Sequence, residues 1–104
     1  MLINIEERKE ITKNIADYFG IQNQQLKLIE ELSELSREVA KDISSNRKIS
    51  ENTISEIADV TILLNQILYL AKDYTVFDLD KRLNDNIEYK LRRTKFRIRK
   101  GEYK

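Results

Sequence analysis

Apolar residues recur at three- and four-residue intervals along the chain, a period that predicts four helices and no sheet. Over residues 4–19, Ile5, Ile11, Ile15 and Phe19 share a face with Tyr18 alongside, and Gly20 supplies a stop. The Tyr18–Phe19 pair is expected to staple into the core rather than to stack on a base. A second helix is predicted from Ile21 or Asn23 to Ile43, with its apolar stripe at Leu28, Leu32, Leu35, Val39 and Ile43. Ser44-Ser45-Asn46-Arg47-Lys48 is the strongest loop signal. A third helix follows to about Lys72, on a core face of Ile57, Val60, Leu64, Ile67, Leu68 and Ala71. Asp73-Tyr74-Thr75 interrupts the period. A fourth helix is predicted from Phe77 or Asp78 to about Arg99, repeating Leu83, Ile87, Leu91, Thr94 and Ile98. Gly101 ends it, and the residues beyond are expected to fray. The expectation is one all-α domain over residues 1–104, its second and third helices antiparallel.

Four carboxylates stand out against this pattern. Glu31 and Glu34 lie one turn apart on the second helix, as Glu56 and Asp59 do on the third. Taking about 100° per residue, Glu31 borders the stripe of Leu28, Leu32, Leu35 and Val39, and Glu34 lies further out. Glu56 falls inside the stripe of Val60, Leu63, Leu64, Ile67 and Ala71, with Asp59 at its edge. A buried, unpaired carboxylate is costly or takes up a proton. Four acids around a helix–helix seam therefore call for a cation. Thr53-x-x-Glu56 also matches a capping box, which would give Glu56 an ordinary role. Against it, Glu51-Asn52 already fit the helical pattern. Ser50 is then the alternative cap.

Composition narrows the chemistry. The 104 residues include no Cys, no His, no Pro and two Gly, with 36% charged and 40% hydrophobic residues. That is the profile of long amphipathic helices. Zinc sites of the usual kind, thiol nucleophiles and imidazole catalysis are excluded, leaving carboxylates, hydroxyls, basic groups and a hard cation. Neither a secretory leader nor an apolar run of the roughly 20 residues a membrane span needs is evident, so a cytoplasmic protein with no membrane partner is expected. The net charge of +1 hides an asymmetry: residues 88–104 carry eight Lys/Arg against Glu88 and Glu102, whereas the rest carries eleven against sixteen acids. An acidic body with a basic end suits an anionic ligand or self-association.

Gln24-x-x-Lys27-Leu28-x-Glu30-Glu31-x-x-Glu34-Leu35, followed after a 21-residue interval (Leu35 to Ser55) by Glu56-Ile57-Ala58-Asp59-Val60, resembles the signature of the MazG-like all-α NTP pyrophosphatases. Lys90-Leu91-x-Arg93-Thr94-x-x-x-Ile98 is similar to the basic last helix of that family. The resemblance spans roughly Ile15 to Arg99. It departs at Ser33, where family members often have Gly, and no aromatic or His residue for base recognition can be placed. It implies a four-helix bundle that hydrolyses a nucleoside triphosphate between its α- and β-phosphates, with Mg²⁺ held by Glu31, Glu34, Glu56 and Asp59. It also points to a homodimer or homotetramer.

The residue chemistry agrees with that expectation. Mg²⁺ shares oxygen ligands among carboxylates, water and substrate phosphates. Glu30, close to the ligand set, is a candidate general base. Arg82, Asn86, Lys90, Arg93 and Arg97 form a polar, mainly basic stripe; Asn86, Lys90, Arg93 and Arg97, with Lys27 beside the acids, are candidate substrate-binding residues. The competing reading pairs the acids with Lys27, Arg37 and Lys41 as a solvated face, which suits Glu30 and Glu38 and suits Glu56 poorly. On that reading the chain is a non-catalytic helical dimerisation module whose basic helix binds nucleic acid or a protein partner. The acidic body argues against a nucleic-acid partner.

Overall fold

A computed structural model describes residues 2–101, apart from the Tyr74 side chain, and among these the chain is all-helical. The α-helices are α1 (Ile5–Phe19), α2 (Ile21–Ser44), α3 (Glu51–Ala71) and α4 (Leu79–Arg99), with a 3-10 turn at Lys72–Tyr74. The fraying expected at the end concerns residues 102–104, outside the described residues. The chain divides into two compact units, Met1–Asp73 and Tyr74–Lys104.

Local signals set the helix ends in the first unit. Asn4 caps α1 by accepting from the Glu7 N–H at 2.8 Å. Gly20 stands at φ 82°, a conformation side chains rarely adopt, and its N–H donates to the Ala16 carbonyl at 2.8 Å. Space around it is open, so the backbone angle rather than crowding selects glycine. Ser50 caps α3 by accepting from the Thr53 N–H. The capping box at Thr53 is thereby excluded, and Glu56 has no capping role.

α2 and α3 form an antiparallel hairpin, because hydrogen bonds join the start of one helix to the end of the other. Gln24 donates its amide to Gln66, 42 residues away in sequence, and at the loop end Thr53 donates its hydroxyl to Asp42, 11 residues away, at 2.6 Å. α1 lies against α3 and touches α2, tied by the Tyr69 hydroxyl donating to Asp17 at 3.1 Å.

The seam is more polar than the sequence pattern suggests. α2 buries Gln24, Glu38 and Asp42, with Leu28, Glu31, Glu34 and Leu35 half-buried. α3 buries Thr53, Val60, Leu63, Gln66 and Leu70. The expected stripe positions Leu32, Val39 and Ile43 are exposed, Ile43 at 75%, as are Ile57 and Leu64. Tyr18 is also exposed and Phe19 only half covered, so this pair is not a core staple; the two rings meet edge to face at 4.9 Å. Glu38, expected at the surface, is buried beside Lys41 at 3.4 Å. The physical reason lies in the partner helix. Thr53 and Gln66 on α3 need polar partners once buried, and Asp42 and Gln24 supply them only if α2 turns its polar side inward.

By length and composition alone, α3 is long and apolar enough to cross a membrane, against the expectation of no such run. It carries Glu56, Asp59 and Gln66 and packs on both α1 and α2 within the first unit.

At the loop end, Asp42 Oδ2 accepts from Thr53 Oγ1 and from the Ser50 N–H at 3.2 Å, while Arg47 approaches Oδ1 at 3.6 Å. The Thr53 hydroxyl, ahead of Ser50 and Arg47, holds the Asp42 carboxyl below the usual aspartate range despite burial. Thr53→Val should lower stability by about 1–3 kcal/mol at neutral pH, because it orphans a buried acceptor. A depressed carboxyl value contributes stability above its unfolded value of about 3.9 and loses it as pH falls through the folded value. Urea unfolding should therefore show the deficit shrinking in acid. An equal deficit at acid and neutral pH would contradict the network.

The second unit is α4 with its lead-in. Asp78 caps the helix by accepting from the Lys81 N–H at 3.1 Å. None of α4's described residues is buried.

Candidate metal centre

Glu31 on α2 meets Glu56 and Asp59 on α3. Carboxylate oxygens of the three lie within 4.8 Å of one another. On α2, Glu31 is seven residues from Gln24 and eleven from Asp42, and on α3, Asp59 is seven from Gln66 and Glu56 three from Thr53; each interval is close to a whole number of turns, so the seam's own register aligns the acids. Glu31 and Glu56 are half-buried.

Glu56 is the residue least reconciled with an ordinary environment. Its Oε2 is buried and has no hydrogen-bond partner. The Glu31 carboxyl, placed to share a proton with it, pushes the Glu56 carboxyl above its usual range, followed by burial and by the charges of Glu31, Asp59 and Glu34. Every one of these causes opposes ionisation.

The remaining candidates are placed as follows. Lys27 reaches Glu31 at 3.4 Å and Glu30 at 3.6 Å, and the bond to Glu31 heads the causes that raise its ammonium above the ordinary value. Glu30 is exposed and stands outside the clustered trio. Glu34 pairs with Arg37 at 2.5 Å; it adds to the negative field at Glu56 without joining the three converging acids. In the second unit, Asn86 donates to the Arg82 carbonyl at 2.8 Å and Arg93 lies over the Tyr89 ring at 5.6 Å. Lys90 and Arg97 are exposed on the same helix.

A cleft of about 640 Å³ opens beside the acids among α1, α2 and α3. Lys27, Glu31 and Asp59 line it together with Ile15, Phe19, Asn23, Gln24, Ile62, Leu63 and Gln66. The Gln24–Gln66 bond was not foreseen as part of a site. Gln24 belongs to the quoted motif, but Gln66 carries no local signal, since an isolated Gln on an apolar helix could point anywhere.

Compared with known families, curated proteins and solved structures, the chain matches none. What supports a function is therefore the motif and the geometry of the residues themselves.

Proposed function

We propose that the chain is a Mg²⁺-dependent nucleoside triphosphate pyrophosphohydrolase, releasing pyrophosphate and a nucleoside monophosphate. The observation that carries this reading is the buried, unpartnered oxygen of Glu56, a side chain whose carboxylate clusters with those of Glu31 and Asp59. Desolvated acids that repel one another are retained at a cost, and a hard cation offsets it. The all-oxygen donor set suits Mg²⁺ rather than a softer ion. Glu31, Glu56 and Asp59 would hold the cation, with Glu34 reinforcing the field. When bound, the cation neutralises phosphate charge and acidifies water.

The chain's own residues supply the rest. Lys27, on the cleft wall and one turn from Glu31, is placed to pair with a phosphate oxygen. Glu30, held by the same lysine, is the proposed proton acceptor. By the family resemblance, Asn86, Lys90, Arg93 and Arg97 on α4 are proposed phosphate-binding residues. Arg93→Ala should raise KM or lower turnover by about 10-fold or more, as expected for a lost charge-assisted contact, without lowering thermal stability. Unchanged kinetics would remove Arg93 from the substrate site.

A screen of NTPs and dNTPs with Mg²⁺, detecting pyrophosphate, tests the activity. Release from at least one triphosphate, stopped by EDTA, is expected. Micromolar binding to nucleic acid at physiological salt with no hydrolysis would favour the interaction module, to which the exposed basic α4 would be suited.

A further inference from the structure

Gln24 and Gln66 are 6% and 1% exposed, yet both line the cleft. Their mutual bond uses one N–H of Gln24 and one lone pair of the Gln66 oxygen. By the inventory of a carboxamide, an acceptor oxygen on Gln24 and an NH₂ on Gln66 remain outside that bond. The pair thus carries one acceptor beside one donor. The same alternation runs along the Watson–Crick edge of a nucleobase, the edge that proteins read when a base leaves its stack.

The surroundings fit the same guest. Phe19, half covered, lines the cleft with Ile62 and offers a ring and an apolar wall to a flat heterocycle. Along α2, Gln24, Lys27 and Glu31 follow one another at successive turns on the cleft side. Gln24 and Glu31 are separated by roughly 10 Å of helix axis, comparable with the reach of a nucleotide from its base edge to its phosphates. A base at the amides therefore puts the phosphates at Lys27 and the acids.

We propose that the Gln24–Gln66 amide pair is the base-reading element of the cleft and determines which nucleotide it accepts. The inference rests on the nucleotide reading of the acidic site and adds its specificity determinant. Turning both amides over together reverses their bond and exchanges donor for acceptor, so the order in which the pair is locked selects the base.

The test uses the full chain and free nucleosides, which need no catalysis. Adenosine, guanosine, cytidine and uridine are titrated by calorimetry into the parent and into the double variant Gln24→Met/Gln66→Met. Replacing both partners of a buried bond with apolar groups of similar shape leaves no orphan and preserves the fold, checked by circular dichroism. The parent should prefer one nucleoside by about tenfold or more, and the variant should weaken that nucleoside by a similar factor and flatten the order. Inorganic triphosphate with Mg²⁺ should bind both proteins alike. A second readout needs no variant: the side-chain amide resonances of Gln24 and Gln66 should shift when the preferred nucleoside is added. No saturable nucleoside binding at millimolar concentration, an order unchanged in the variant, or unmoved amide resonances would overturn the proposal. Amide-dependent nucleoside binding without pyrophosphate release would sink the hydrolase reading alone. Hydrolysis with amide-independent preference would sink this one alone.

Discussion

Glu56→Gln is expected to abolish pyrophosphate release while leaving the metal-free protein as stable as the parent or more so. The substitution keeps the shape of the side chain and removes the charge at the most congested point of the acidic cluster. Loss of a direct ligand should cost more than the about 10–100-fold that follows loss of an outer-shell partner. The stability half follows from electrostatics. In EDTA, Glu31, Asp59 and Glu34 all oppose ionisation of Glu56. A carboxyl raised on folding is tolerated when protonated and penalised once pH rises through its folded value. The variant's advantage should thus be present at neutral pH and vanish below the ordinary glutamate range of about 4.3. Chemical unfolding of both proteins in EDTA across that range reads it. A variant as active as the parent would remove the acids from the chemistry, and one markedly less stable at neutral pH would show Glu56 to be a structural partner.

The protein should sediment as a dimer or a dimer of dimers, at two or four times the 12.4 kDa chain mass. The exposed residues Ile29, Leu32, Val39 and Ile43 of α2 lie roughly 100° round the helix from its buried seam, as do Ile54, Ile57 and Leu64 on α3. Because the two helices run antiparallel, equal rotations from the seam bring both sets out on the same side of the hairpin. The cleft residues Asn23, Lys27, Asp59 and Ile62 emerge on the other side. A contiguous apolar side on two long helices is the kind of surface that marks an interface with another protein. We propose that a second copy covers it, which would leave each cleft accessible. Leu32→Glu/Val39→Glu should weaken association by about 10²-fold or more, given the apolar burial each residue would lose. A parent that sediments at the single-chain mass at micromolar concentration contradicts this.

Much of the fold was legible because it is encoded locally. Helix periods, the Gly20 stop and the loop expected at Ser44–Lys48 are each written within a few residues, and the structure reproduces them, with Ser44 closing α2 and the connection running over residues 45–50. Which face of α2 turns inward was not. Its apolar stripe reads as the core side, but the hairpin is decided by partners far apart in the chain, Gln24 with Gln66 and Asp42 with Thr53. Neither helix alone reveals such pairs. Glu56 was legible for the opposite reason: it interrupts an apolar stripe on its own helix, and α3 does bury part of it. Glu34 illustrates the limit, since a one-turn spacing from Glu31 could not show that Arg37 would take its carboxylate. The seam tolerates so much polarity because its amides and hydroxyls bond in pairs; two buried carboxylate oxygens accept no hydrogen bond, Asp42 Oδ1, which Arg47 approaches at 3.6 Å, and Glu56 Oε2, which faces further acids.

The acidic cluster is most directly examined by diffraction at the manganese edge from crystals soaked with Mn²⁺, a Mg²⁺ substitute that can be located by its anomalous signal. The expected result is an ion bonded to carboxylate oxygens of Glu31, Glu56 and Asp59, and none there in crystals of Glu56→Gln. Crystals of the parent with Mn²⁺ bound elsewhere, or with Glu56 still unligated at saturating ion, would contradict the metal site and with it the proposed hydrolysis.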